Sequence, residues 1–238
     1  MLGLIKLGNE RKSCSFCSVT ISNLELVLIM RKFASTLGLV LLLQSLPAIA
    51  QAQVQPIQPS PDPIEQVVTT GLMSNLPDGQ FHPDRFISRA ELASILVKTF
   101  RLDKRAAANA GNLIEVKDVS NTNPAFNDIQ TVLKTGIMRG YRDNMFFPNQ
   151  RVTRAEAFAI FAQAYGVFQF PDNTIEAILA NYPDVASIPV WARKSLATAL
   201  NEGFINTDNQ NNIKPLQPMT RGDMAYALSK YLARQQTR

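Results

Sequence analysis

From residue 63 to the C-terminus, apolar side chains recur every three or four positions in stretches separated by polar loops. Three stretches read Ala93, Leu96, Val97, Phe100; Ala155, Phe158, Ala159, Ala162; and Met224, Ala227, Leu228, Tyr231, the spacing of one face of a helix. Each follows a short polar motif: SRAE at 88–91, TRAE at 153–156 and TRGD at 220–223. Ser or Thr with Glu or Asp three positions later is a capping box, so each motif predicts a helix start. Three further stretches (Ile64, Val67, Val68; Ile129, Val132, Leu133; Leu196, Ala199, Leu200) run into Gly71, Gly136 and Gly203, where a left-handed C-cap would end a helix.

These elements are copies of one unit. The motif arginines Arg89, Arg154 and Arg221 lie 65 and 67 residues apart. Each has a glycine 18 residues before it and a proline six before it (Pro83, Pro148, Pro215). Phe81, Phe146 and Ile213 stand eight before, and Ile87, Val152 and Met219 two before. The unit is therefore helix, glycine stop, polar loop with a short extended piece, then capped helix. Two short helices cannot bury their apolar faces alone, so the copies are expected to pack on one another around a shared core. Short extra helices are expected within 104–112 and 174–182, and little strand. The fold class is mainly all-α.

The N-terminal segment changes the meaning of the composition. The 238 residues carry 24 Lys and Arg, 19 Asp and Glu and a formal charge of +5, which by itself raises nucleic acid as a partner. Residues 1–52 hold five of those cations and two of the anions, leaving 19 against 17 beyond them. The basicity belongs mostly to the leader, and nucleic acid is not expected. Residues 30–52, MRKFASTLGLVLLLQSLPAIAQA, have the basic start, apolar stretch and small-x-small cleavage site of a secretory signal, cut after Ala50 or Ala52. Their apolar stretch is shorter than the ~20 residues of a spanning helix, so no transmembrane span is expected after its removal. Residues 1–29 form a doubtful extension, with Met30 the expected start. Both cysteines of the chain, Cys14 and Cys17, lie there as one C-x-x-C, a weak sign of metal or redox chemistry without a second pair. The exported chain would hold no cysteine and rely on packing. Residues 53–62, rich in Pro and Gln, read as a linker; repeats follow at 63–112 (incomplete), 113–180 and 181–238.

The motif set resembles three tandem S-layer homology repeats. The second copy is the fullest, with Asp118-Val119, AFNDI at 125–129, GIMRGY at 136–141, FFP at 146–148 and VTRAE at 152–156. The third keeps YPDV at 182–185 and Trp191-Ala192 but has lost the Gly-Tyr pair of the loop; the first lacks the opening element. The resemblance covers roughly residues 63–235. It implies a pseudo-threefold module whose capped helices form a central three-helix bundle. It also implies grooves between repeats that bind polysaccharide linked to peptidoglycan, often pyruvylated, without a covalent bond. The implied address is the bacterial periplasm, cell wall or cell surface.

Candidate site residues follow from motif and resemblance together. Arg89, Arg154 and Arg221 stand at the first helical position, where the helix dipole disfavours a cation by ~0.3–1 kcal/mol. One reading has each guanidinium and the adjacent helix amides receive the carboxylate of an acidic sugar; the other has it paired internally with Glu91, Glu156, Asp223, Asp118 or Asp184. Asp118 and Asp184 either accept from sugar hydroxyls or cap a turn. Trp191 either stacks on a sugar or anchors the core, and Tyr141 and Arg142 line a groove or a solvated turn. His82 has no partners for a zinc site. No catalytic triad, nucleophile elbow or phosphate loop is present, so no enzymatic activity and no cofactor is expected. Two functions remain open: a binder of cell-wall polysaccharide, or an envelope scaffold whose drifted repeats contact other proteins.

Overall fold

The computed structural model describes residues 62–237; the signal segment, the Cys14–Cys17 pair and nearly all of the linker lie outside the described residues. Eight α-helices follow in order: α1 (Pro63–Thr69), α2 (Arg89–Phe100), α3 (Ala106–Asn109), α4 (Phe126–Lys134), α5 (Arg154–Tyr165), α6 (Asp172–Leu179), α7 (Arg193–Asn201) and α8 (Arg221–Gln236). Among the described residues there is no strand, only three isolated bridges, so the fold is mainly all-α. The short helices expected between repeats are α3 and α6.

The capped helices begin where the motifs place them. The side chains of Ser88, Thr153 and Thr220 accept from the amides of Glu91, Glu156 and Asp223. Thr153–Glu156 and Thr220–Asp223 complete the reciprocal box, but Ser88–Glu91 does not, because the Glu91 carboxylate is drawn to Arg221. α1, α4 and α7 end at Gly71, Gly136 and Gly203, with φ of 71°, 70° and 73°. Only glycine enters that left-handed region without steric cost.

Packing runs from each repeat to its neighbour. α4 lies against α2, α7 against α5, and α1 against α8, so the first helix of each repeat covers the capped helix of another. Near their C-terminal ends the capped helices meet through aromatic rings. Phe100 of α2 lies 5.1 Å from Phe161 of α5 and 5.1 Å from Tyr231 of α8, both edge to face. Phe204 and Tyr165 extend the cluster. Such pairs contribute about 0.5–1.5 kcal/mol each beyond the area they bury. At the opposite end, the residues entering the capped helices pair as single bridges: Phe86 with Thr220, Ser88 with Arg151, and Thr153 with Pro218. Each pair of repeats is thus joined once. Ile87, Val152 and Met219, two positions before the arginines, are buried beneath this knot.

Candidate functional site

The loop between each glycine and its capped helix is held to the preceding repeat by backbone bonds at matching positions. The first two amides of each capped helix donate to carbonyls of another repeat: Arg89 and Ala90 to Gln150 and Pro148, Arg154 and Ala155 to Gln217 and Pro215, Arg221 and Gly222 to Arg85 and Pro83. The third amide is taken by the cap side chain. This corrects the expectation that these amides receive an external anion: no donor of the first turn is left for one, because the neighbouring loop supplies the acceptors.

The three arginines are buried, at 6%, 6% and 3% exposure, and reach into the same neighbouring loops. Nε of Arg89, Arg154 and Arg221 donates to the carbonyls of Phe146, Ile213 and Phe81 at 2.7, 2.7 and 2.9 Å. Their Nη2 groups donate to the carbonyls of Arg139, Asn206 and Ser74 at 2.8, 2.6 and 2.6 Å. Each guanidinium also faces a ring: Phe146 and Tyr141 for Arg89, Phe158 for Arg154, Phe81 for Arg221. These ties explain why a cation stands at a helix N-terminus three times: carbonyl acceptors offset the unfavourable dipole.

The junctions differ at Nη1. Arg154 lies 2.8 Å from Asp223 Oδ1, and Arg221 pairs with Glu91. The corresponding carboxylate for Arg89 is Glu156, but Glu156 Oε2 accepts from the amide and hydroxyl of its own cap, Thr153. No carboxylate of the described residues lies within 4.0 Å of Arg89. Burial pushes the Arg89 guanidinium below its ordinary pKa, opposed by Tyr141 and the more distant Glu156 and Asp118 carboxylates. Tyr141 and Phe147 pack edge to face at 5.2 Å beside it and are 45% and 42% exposed.

Asp118 and Asp184 brace the loops. Asp118 accepts from the amides of Phe146 and Phe147 at 2.8 and 2.6 Å, and Asp184 from Ile213 and Lys214 at 3.0 and 2.6 Å. Phe147 and Lys214 both have left-handed backbones, φ 56° and 55°, which point consecutive amides at one carboxylate. Arg142 is exposed on a short turn over Arg142–Asn144. Trp191 is 62% exposed beside Val190 and is not part of the buried core.

A groove of about 610 Å³ opens beside Arg154. Its wall is rich in amides and hydroxyls (Asn206, Thr207, Asn212, Gln217, Thr220), with Lys214 and Asp208 on one side and Phe86 of the first repeat on another. Hydrogen bonds from Asn212 and from Lys214 hold the Asp208 carboxyl well below its ordinary pKa. A smaller groove, about 200 Å³, adjoins Arg221 and Glu91. Asn206, Lys214 and Phe86 were not among the residues singled out from sequence, because the copies differ at those offsets and internal matching passes over them. Among the described residues no cluster of His, Cys, Asp or Glu is arranged to hold a metal, and no helix is long and apolar enough to cross a membrane.

Relatives share this chain's repeat region. A surface-layer 125 kDa protein of Lysinibacillus sphaericus is 28% identical over 170 residues, 70% of this chain and 13% of the relative. An exoglucanase, XynX, of Acetivibrio thermocellus is 30% identical over 165 residues, covering 69% of this chain and 14% of the relative. A cellulosome-anchoring protein of the same organism is 29% identical over 136 residues, 56% of this chain and 28% of the relative. The chain thus spans only a small part of the length of these relatives. The model of the S-layer homology domain matches residues 54–93, 117–158 and 181–225, more than half of the chain, one match for each arginine motif: the chain belongs to the S-layer homology family.

Proposed function

We propose that the protein is an exported cell-envelope component that attaches non-covalently to cell-wall polysaccharide linked to peptidoglycan, through grooves between its repeats. The repeats would form a pseudo-threefold ring about the capped helices, a reading supported by the equivalent arginine and amide bonds at every junction. The observation that carries the binding is the groove beside Arg154. Side-chain amides and hydroxyls donate and accept in several directions, as sugar hydroxyls require, while the exposed Phe86 ring offers an apolar face and Lys214 a positive charge. Arg154 serves there chiefly as the buried tie that holds the loop of the third repeat. Arg89 is the junction guanidinium best placed to meet an acidic group such as a pyruvyl carboxylate, beside Tyr141 and Phe147. Trp191 and Arg142 would make peripheral contacts. No catalytic role is assigned: the exoglucanase that shares this region shares only 14% of its length with it.

Purified protein should co-sediment with sacculi and lose that property when the secondary polymer is stripped from them; unchanged sedimentation after stripping would sink the proposal. A second reading, an envelope scaffold for other proteins, is favoured by the internal pairing of Arg154 and Arg221. Cross-linking in intact cells that recovers a specific protein, together with failure to bind sacculi, would select it.

A further inference from the structure

The groove beside Arg154 does not end at the third repeat. Asp84 and Phe86 line it, and the same two residues line a second cavity, of about 470 Å³, whose other walls are Arg85, Ser88, Asn149 and Arg151. The two cavities share a wall and lie on the end of the molecule where the three capped helices begin. The Phe86 ring stands at the boundary, with the Arg151 guanidinium 4.7 Å from its centroid. Arg151 is exposed, and no carboxylate of the described residues lies within 4.0 Å of it. Its planar fork lies over the ring, and the residue itself lines the cavity. Backbone pairing fixes the main chain under both partners, Phe86 being bridged to Thr220 and Ser88 to Arg151, so only the two side chains remain to be ordered when a ligand arrives.

We infer that the protein reads an extended stretch of acidic glycan rather than a single sugar, with the chain running from the Asn206–Lys214 groove across Phe86 to Arg151. The inference rests on the polysaccharide reading above and adds the ligand's length and charge spacing. Two cationic positions, the unpaired Arg151 and a Lys214 that shares its charge with Asp208 at 3.0 Å, flank an aromatic ring, and Asp84 adds an acid to the lining of both cavities. A polymer with acidic groups on separate units and a neutral unit over Phe86 and Asp84 satisfies all four; a single acidic sugar engages one cation and leaves the other cavity to water. Arg85, with its guanidinium 3.8 Å from Glu91, belongs to the far wall and is already partly paired.

The test uses glycan released from sacculi by enzymatic digestion of the peptidoglycan at neutral pH, which leaves acidic substituents in place, and separated by length, titrated calorimetrically into the full chain. Fractions of several units are expected to bind about tenfold more tightly than the single-unit fraction, the effect of one added charge-assisted hydrogen bond. Arg151→Gln should remove that advantage, leave single-unit affinity unchanged and move the melting temperature little, whereas Phe86→Ala should remove it and weaken single-unit binding as well. Equal affinity for short and long fractions, or an undiminished length effect in both variants, overturns the track while leaving the polysaccharide reading standing. Failure of the unaltered protein to bind any fraction overturns both.

Discussion

Arg154→Ala should cost far more stability than its position at a helix terminus suggests. The change removes a side chain only 7% exposed, whose Nε and Nη2 donate to the Ile213 and Asn206 carbonyls and whose Nη1 faces an Asp223 carboxylate itself 15% exposed. Breaking a buried pair from one side costs about 3–5 kcal/mol, mostly from the charge left behind. Water entering the vacated space partly satisfies the two carbonyls, so about 4 kcal/mol is a fair total. In a unit of 150–250 residues each kcal/mol lowers the melting temperature by about 2–4 °C, which gives a fall of roughly 8–16 °C. Arg89→Ala is the internal control. It removes the same two carbonyl bonds but strands no carboxylate, and about 2 kcal/mol is expected, or roughly 4–8 °C. Thermal melts followed by far-ultraviolet circular dichroism, with urea unfolding for the free energies, make the comparison. Equal losses in the two variants would refute the argument that the carboxylate partner distinguishes these junctions.

Other perturbations test separate parts of the structure. Burial pushes the Asp223 carboxyl up, but Arg154, the Asn206 amide and the Thr220 amide overcome this and hold it below its ordinary value; its contribution is therefore complete above the unfolded pKa of ~3.9 and is lost as pH falls through the lower folded value. Urea midpoints should decline across that acid range in the unaltered protein and more shallowly in Asp223→Asn. Gly136→Ala meets no atom within 4 Å, yet φ of 70° should make it about 1 kcal/mol less stable, with Asn at that position costing less; equal urea midpoints for all three would exclude backbone strain as the cause. Phe161→Ala, at the centre of the ring cluster, should lose about 3–5 kcal/mol. Trp191→Ala should change stability by less than about 0.5 kcal/mol, and a larger change in its melting curve would show that the ring supports the fold.

Sequence made the framework legible where copies agree. The capping motifs located α2, α5 and α8 to the residue, and the glycines marked the ends of α1, α4 and α7 within a residue or two. Both signals are local: a cap or a left-handed stop is dictated by the residue that occupies it. The destination of each guanidinium was not legible in the same way. Arg154 donates to the backbone of Ile213 and Asn206, 59 and 52 residues away, and a carbonyl acceptor has no side-chain signature. The groove walls were hidden for a related reason. Phe86, Arg151 and Pro218 occupy one offset with three chemistries, so comparison of the copies discards the position at which they differ, although that is where a ligand would tell one junction from another.

The three acids at the fourth motif position show how one repeated sequence yields unequal junctions. Each carboxylate is demanded twice, by the amide of its own cap and by the arginine of a neighbouring repeat. Asp223 serves both, with Oδ2 on the Thr220 amide and Oδ1 on Arg154. Glu91 serves the neighbour and gives up its cap; Glu156 keeps its cap and gives up the neighbour. An arginine that loses this contest retains its carbonyl bonds, which hold the loop, and stays buried without a carboxylate partner among the described residues. Exchanging Glu156 for Asp should therefore draw the carboxylate into the shared geometry seen at Asp223, raise the melting temperature through the new pair with Arg89, and weaken binding to sacculi if Arg89 receives the glycan's acid. A variant that is stabilised yet binds unchanged would remove Arg89 from the binding surface and leave the Arg154 groove to carry it alone.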